Sequence, residues 1–480
     1  MQKIKITLLV IVIISSLLIG SSILTRGHEW GDDWASYVMQ SKSILSGKTS
    51  EFVEHNTFTI FKSSFQIGPV AYPWGYPLIL TPVIALKGVH PLTLKLPGLF
   101  FFAGFLICLY LLTKDRLTST ESLLLISLFA FNLTLTTFLD EILSDIPFMF
   151  STTLGLLLII KLKPTIRNSI MLGAIIFLSF FIRTTGIILL ASYLAYQAIN
   201  FYFQKEMRKE ILVNSIWVVL SFSLLFAITS LIFPNGQGSY FRQLMGLTVE
   251  IFFRRNLPGY FNLFWQFFGT SPLWVYPYYA LIIFFLIGIW AQRNTDQLLI
   301  IFFTLYLIAM LFWPEWQGIR FIFPLLPIFI YFAFQGISSV IKNLPENYGW
   351  YIKGITYIFW FAIVGIFLFN SGLKAYSNLK DNRKINGPFD PYSSDVFNYI
   401  KEKTSQDSVI VFYKPRAMRL FTDRNTLMRT DCNGLKLGDY AVISYKAENS
   451  QIPPTEIGKC GLKLSTVFEN KRFIIYKLPK

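Results

Sequence analysis

Residues 6–24 read ITLLVIVIISSLLIGSSIL, a run without a single charge, preceded by Lys3 and Lys5 and followed by Arg26. About 20 apolar residues are enough for a helix to cross the hydrocarbon core of a bilayer. Basic residues ahead of such a run mark either a secretory signal or a first membrane span. No small-residue cleavage site follows cleanly, so the run is read as an uncleaved span.

Outward from this run, apolar segments recur as far as Ser371. Ten further spans are expected at 97–113, 122–138, 146–160, 169–182, 184–203, 211–233, 273–291, 298–313, 321–341 and 355–371. A backbone in lipid must satisfy its own hydrogen bonds, which makes these helices. Composition agrees: 53% of the 480 residues are hydrophobic and 15% charged, against about 25% charged in an ordinary soluble domain. The expected fold class is an all-α polytopic membrane protein with about eleven transmembrane helices and a small α/β domain at its C-terminus.

A net charge of +16 on a soluble chain would raise nucleic-acid binding. Here basic residues fall in short loops between apolar runs: Lys114 and Arg116; Lys161, Lys163 and Arg167; Lys205, Arg208 and Lys209; Arg293; Lys342 and Lys353. Anchoring to anionic membrane lipid and setting topology are their expected roles, and no nucleic-acid partner is expected. The positive-inside rule puts the N-terminus and these loops in the cytoplasm of a plasma or inner membrane.

Segment 77–89 is apolar, contains Pro82 and Gly88, and is too short to span. It is read as an interfacial or re-entrant helix within an outer loop 26–96. The outer face then comprises that loop, 140–145, a turn at Arg183, 234–272, 314–320 and the tail. β-rich runs at 408–413, 440–445 and 472–478, with a helical pattern at 394–403, predict the α/β domain. The division is a membrane domain, 1–372, and an extracytoplasmic domain, 373–480. Among the three cysteines none has metal-ligand spacing, and a Cys432–Cys460 disulfide is open if the tail meets an oxidising compartment.

The outer segments carry the candidate chemistry. Asp32 and Asp33 are adjacent carboxylates, one of whose pKa values repulsion can raise toward that of a general base; capping of a following helix is the plainer reading. Asp140, Glu141 and Asp145 form a second acidic cluster, with Asp145 also placed to cap a helix at Ile146-Pro147. Acids at membrane depth are costly, so two clusters on one side suggest a shared polar site. Arg183, Arg242, Arg254, Arg255 and Arg320 offer guanidinium forks that suit phosphate oxygens, or contacts to lipid head groups. Tyr72, Trp74 and Tyr76 in Tyr72-Pro73-Trp74-Gly75-Tyr76-Pro77 stack on sugar faces or line the interface. His28, His55 and His90 match no metal motif and are read as solvated loop residues.

Taken in order, Asp33-x-x-x-Tyr37 with Ser43-Ile44-Leu45-Ser46-Gly47, the Tyr72–Pro77 segment, Ser144-Asp145-Ile146-Pro147, Ile182-Arg183-Thr184 and Arg320-Phe321-Ile322-Phe323-Pro324 resemble the GT-C glycosyltransferases. The resemblance is to the protein O-mannosyltransferase and lipid A aminoarabinose transferase group. That family usually has an Asp-Glu pair in the first loop, where this chain has Asp33-Trp34 preceded by Asp32. The resemblance implies transfer, with inversion, of a sugar from a polyprenyl-phosphate-linked donor to a lipid, glycan or protein acceptor outside the membrane. Asp33 would be the base, with Asp32 beside it, and Asp145 would orient the acceptor or bind a divalent ion; no other cofactor is implied. Arg183, Arg320, Arg254 and Arg255 would hold the donor phosphate, and Tyr37, Tyr72, Trp74, Tyr76 and Glu141 the sugar or acceptor. A transporter or flippase of lipid-linked sugars is the alternative, but it predicts mid-membrane charges and repeated halves. A scaffold protein would leave Asp33 and Asp145 dispensable.

Overall fold

A computed structural model of the chain describes residues 2–65, 67–234, 248–446 and 449–479; Arg242 lies outside the described residues. Among the described residues six helices are long and apolar enough to cross a membrane: Lys5–Ile23, Pro91–Thr113, Thr184–Phe203, Lys205–Ile232, Pro272–Ala291 and Glu346–Lys380. Shorter apolar helices, Ser119–Ala130, Ile166–Ile182, Gln297–Leu311 and Leu326–Lys342, pack among them. Leu231 and Phe100 stand exposed on the helix surfaces, as lipid-facing side chains do. The chain is a multi-pass membrane protein.

Every predicted span contains helix, and the departures have local causes. The segment 122–138 is two helices, α6 (Ser119–Ala130) and α7 (Leu133–Phe138). At the break, Asn132 accepts from the Leu135 amide at 3.0 Å and donates to the Phe267 carbonyl at 2.6 Å, so protein partners satisfy the broken backbone. Pro324 and Pro327 delay the next-to-last span, which begins as a 3-10 turn, Gly318–Ile322, before the helix Leu326–Lys342. The last span runs on past Ser371 to Lys380. Close helix packing is clearest at Gly288 and Gly336, where a Cβ would collide with the backbone at Phe332 and at Phe284. Small residues let membrane helices approach this closely.

One end of the bundle is roofed by α2 (Asp33–Ser46), α3 (Thr49–Lys62) and α4 (Gly75–Lys87). The short apolar segment read as interfacial is α4. The C-terminal unit sits on the same end: five strands in the order β2-β1-β3-β5-β4, where β1 (Val409–Val411) pairs in parallel with β2 (Asn425–Leu427) and β3 (Tyr440–Ser444). Strand β5 (Phe473–Lys477) is antiparallel to β3 and to β4 (Ser465–Glu469). Trp30 of the first loop inserts its ring against Phe397, Phe412, Tyr413 and Phe473 of this unit. Cys432 and Cys460 form a disulfide, with Cα atoms 5.2 Å apart.

Candidate active site

Asp33 is the first residue of α2 and Asp32 its N-cap, positions where the helix dipole favours a carboxylate. Their direction is fixed by the next residue. Trp34 is 1% exposed and stacks on His28 at 4.9 Å, with Phe389 and Phe421 against its other sides. One turn and two turns along α2, Tyr37 shares a hydrogen bond with Ser144 at 3.0 Å and Gln40 pins the backbone of Tyr72 through both its N–H and its carbonyl. Tyr72 is thereby held so that its hydroxyl donates to Asp33 Oδ1 at 2.6 Å. Arg320, from the turn before Leu326–Lys342, donates to Asp33 Oδ2 at 3.0 Å and also to Gln317.

These groups wall a cavity of about 330 Å³. Across it Arg183, the C-cap of α9 (Ile166–Ile182), is ion-paired to Asp145, the first residue of α8 (Asp145–Lys161). Both guanidinium groups lie over the ring of Phe321, Arg183 at 5.3 Å and Arg320 at 6.0 Å. Their positive ends therefore converge on one region, and each keeps N–H donors beyond those its carboxylate takes. That is a site fitted to an anion with several oxygens.

The two adjacent carboxyls differ electrostatically. Burial pushes Asp33 up, but Arg320, the Tyr72 hydroxyl and Arg416 outweigh it and hold the group below the usual carboxylate range. Burial pushes Asp32 up to about 6 against the pull of Arg416 and Lys414. One Asp32 oxygen is buried without a hydrogen-bond partner among the described residues.

A second cavity of about 620 Å³ shares Asp32, Asp33 and Arg320 with the first and is lined further by Glu29, Glu141 and Lys374. Burial pushes Glu141 up to about 8, helped by Glu29 and Asp140, and pushes His28 down to about 3. His28 Nδ1 donates to the Glu29 carbonyl at 2.9 Å, which leaves Nε2 to accept from the Ile142 amide at 3.1 Å. The carboxyl of Glu141 lies 3.2 Å from that same Nε2. From the first cavity an apolar groove of about 210 Å³ leads away past Tyr72, Pro73 and Thr184, between Trp74, Phe181, Phe226 and Phe233.

Asp32, Asp33, Asp145, Arg183, Arg320, Tyr37 and Tyr72 thus come together around one cavity. Trp74 lines the groove, donating to the Pro234 carbonyl at 3.1 Å and stacking on Phe233. Tyr76 is buried edge-on against Tyr37 at 4.9 Å, and Glu141 belongs to the second cavity. Arg254 and Arg255 do not line any of these three spaces. Arg254 is exposed and paired to Glu250, and Arg255 ties the turn before Glu315 by donating to the Pro314 carbonyl. His28 is not solvated, being 1% exposed, because it cements Trp34 to the loop at Glu141. Asp140 is taken up by Lys95 at 2.7 Å and the Thr25 amide at 2.6 Å. Among the described residues no group of three or more His, Cys, Asp or Glu is placed to hold a metal ion.

Sequence reasoning missed the tail's part. Tyr413, Lys414 and Ser450 line the first cavity, and Arg416 reaches it through Tyr72. No periodicity or motif marks them, since a basic residue in a soluble α/β unit has no membrane environment to make it unusual.

Against solved structures, the chain is similar to ArnT from Cupriavidus metallidurans bound to undecaprenyl phosphate, with a TM-score of 0.60 and 10% identity over 97% of both chains. It is also similar to the Archaeoglobus fulgidus oligosaccharyltransferase in its apo form, with a TM-score of 0.59 and 13% identity, covering 92% of this chain and 70% of that one. The archaeal enzyme AglB in complex with an inhibitory peptide and a dolichol-phosphate is similar at a TM-score of 0.53 and 13% identity, covering 92% of this chain and 69% of that one. No family model matches the sequence, and no curated protein matches it either. ArnT, a lipid A aminoarabinose transferase, and AglB are both GT-C glycosyltransferases. The likeness, at such low identity, is one of architecture: this chain has the fold of ArnT and of the archaeal oligosaccharyltransferase.

Proposed function

We propose that this protein is an inverting glycosyltransferase that moves a sugar from a polyprenyl-phosphate-linked donor to an acceptor hydroxyl on the extracytoplasmic side of a plasma or inner membrane. The observation that carries the reading is the pairing of one pinned carboxylate, Asp33, with two convergent guanidinium groups, Arg183 and Arg320, around a single cavity. The aromatic groove beside Thr184 suits the isoprenoid chain of such a donor, with the phosphate left at the arginines.

In the reaction Asp33 takes the proton of the acceptor hydroxyl, whose oxygen attacks the anomeric carbon from the face opposite the phosphate. The bond from that carbon to the phosphate oxygen breaks, and the polyprenyl phosphate leaves with the electron pair. Charge grows on the phosphate, where Arg183 and Arg320 already point. Arg320 is shared: when it turns toward phosphate, Asp33 loses a partner that kept its proton affinity low, and becomes a better base as the donor binds. Asp145 holds Arg183 in place, and Tyr37, Tyr72 and Trp74 line the spaces that take sugar and carrier. The second cavity, on the Glu141 side of Asp33, is the approach for the acceptor.

The test is transfer of labelled sugar from polyprenyl-phosphate donors by the purified full chain in lipid nanodiscs. Transfer with inverted anomeric configuration supports the reading. Retention of configuration would contradict it, as would protein that binds and moves the donor lipid across the bilayer without transferring sugar.

A further inference from the structure

Arg416 lies on the helix Pro415–Thr422 of the C-terminal unit. It is 0% exposed, yet among the described residues no carboxylate stands within ion-pair distance of it. Its guanidinium donates to the carbonyls of Ile67, at 3.2 Å, and Pro69, and to the Tyr72 hydroxyl at 3.4 Å, and it lies over the Tyr72 ring at 5.4 Å. The backbone between is shaped to admit it: Gly68 has φ +122°, and a Cβ there would meet the Tyr72 hydroxyl at 2.8 Å and Arg416 Nη1 at 3.1 Å. Taking a guanidinium out of water carries a heavy desolvation cost. Carbonyl contacts alone would suffice to dock the tail, and a neutral donor could make them.

The positive charge has another use. Arginine only donates, so the Tyr72 oxygen must accept from it, and the single phenolic proton is left for Asp33 Oδ1. The chain of donors runs one way, from Arg416 through Tyr72 to Asp33, and each bond polarises the next. We propose that Arg416 is a positioning residue of the transfer reaction: the C-terminal unit supplies it to clamp segment 67–72 and to aim the Tyr72 proton at Asp33. The tail is then part of the catalytic machinery rather than an accessory, and the Trp30 ring inserted into its core is what seats it. This inference rests on the role proposed above for Asp33.

Two measurements on full-length protein in nanodiscs test it. The first is hydrogen–deuterium exchange of the amides between Ile67 and Tyr72, which needs no activity. In Arg416→Gln these amides exchange at least about tenfold faster while α8 is unchanged; equal exchange would overturn the clamp. The second is the pH dependence of transfer. Arg416→Gln lowers kcat about ten- to a hundredfold, leaves the donor KM within about twofold, and moves the acid limb of the profile upward. Arg416→Lys, which keeps the charge but not the fork, recovers part of both effects. Activity lost with the limb unmoved and no rescue by lysine would reduce Arg416 to a docking contact and overturn its positioning role. If wild type transfers sugar from no donor, the functional reading fails, and the exchange result still decides the clamp.

Discussion

Tyr72→Phe removes a single hydroxyl and leaves the ring, its Gln40-pinned backbone and the cavity wall in place. The lost bond is short, 2.6 Å, and runs from a neutral donor to a carboxylate. Hydrogen bonds to charged groups contribute about 1.5–3 kcal/mol. Because 25% of the Asp33 side chain is exposed, screening favours the lower part of that range, about 1.5–2 kcal/mol, or roughly one pKa unit. The hydroxyl stabilises the ionised form, so its loss raises the Asp33 pKa. With Asp33 as the base, less of the enzyme is competent in acid. The acid limb of kcat/KM against pH should therefore move up by about one unit, with only a few-fold loss on the plateau. The assay is sugar transfer in nanodiscs from about pH 2.5 to pH 8, reaching below the usual carboxylate range because Asp33 is held there. A limb that does not move would show that the Tyr72 hydroxyl does not set the acidity of the catalytic base. A limb near 6 in both proteins would assign the proton to Asp32, whose carboxyl is pushed to about that value.

Glu141→Gln should flatten the pH dependence of thermal stability. Glu141 is raised from 4.5 to about 8, so its contribution is full below the unfolded value and is lost as pH rises through that window; an unchanged slope of Tm against pH in the variant would contradict this. Gly288→Leu drives a side chain into the Phe332 carbonyl and should cost about 1–3 kcal/mol by overpacking, read as a lowered Tm in nanodiscs; an unaltered Tm would show that the two helices have room to part. Cys432→Ser opens a link between residues 28 apart in sequence and should destabilise the C-terminal unit by about 3 kcal/mol, measured by denaturant unfolding followed by the fluorescence of Trp30; coincident curves would deny the link a role in stability.

The membrane architecture was legible because long apolar runs leave few alternatives, and α4 was legible as a separate short helix because its length could not span. The break at Asn132 was not, since it depends on a carbonyl at Phe267 more than a hundred residues away. Strands β2 and β4 escaped notice for different reasons: one has three residues, and the other is a largely exposed edge without alternation. Within the site, Asp33, Asp145, Arg183 and Arg320 were visible as charges out of place beside apolar runs. Arg254 and Arg255 look the same in sequence but turn toward Glu250 and the Pro314 turn. Arg416 looks ordinary, and only the docking of the tail gives it a partner in Tyr72.

The central claim is that Asp33 accepts the acceptor's proton, and Asp33→Asn tests it most directly because the amide keeps the size and loses the charge. Transfer of labelled sugar from a polyprenyl-phosphate donor is compared in membranes holding equal amounts of wild type and variant. A fall of about a hundredfold or more in kcat is expected, with protein that remains folded and binds donor; transfer at the wild-type rate would remove Asp33 from the chemistry.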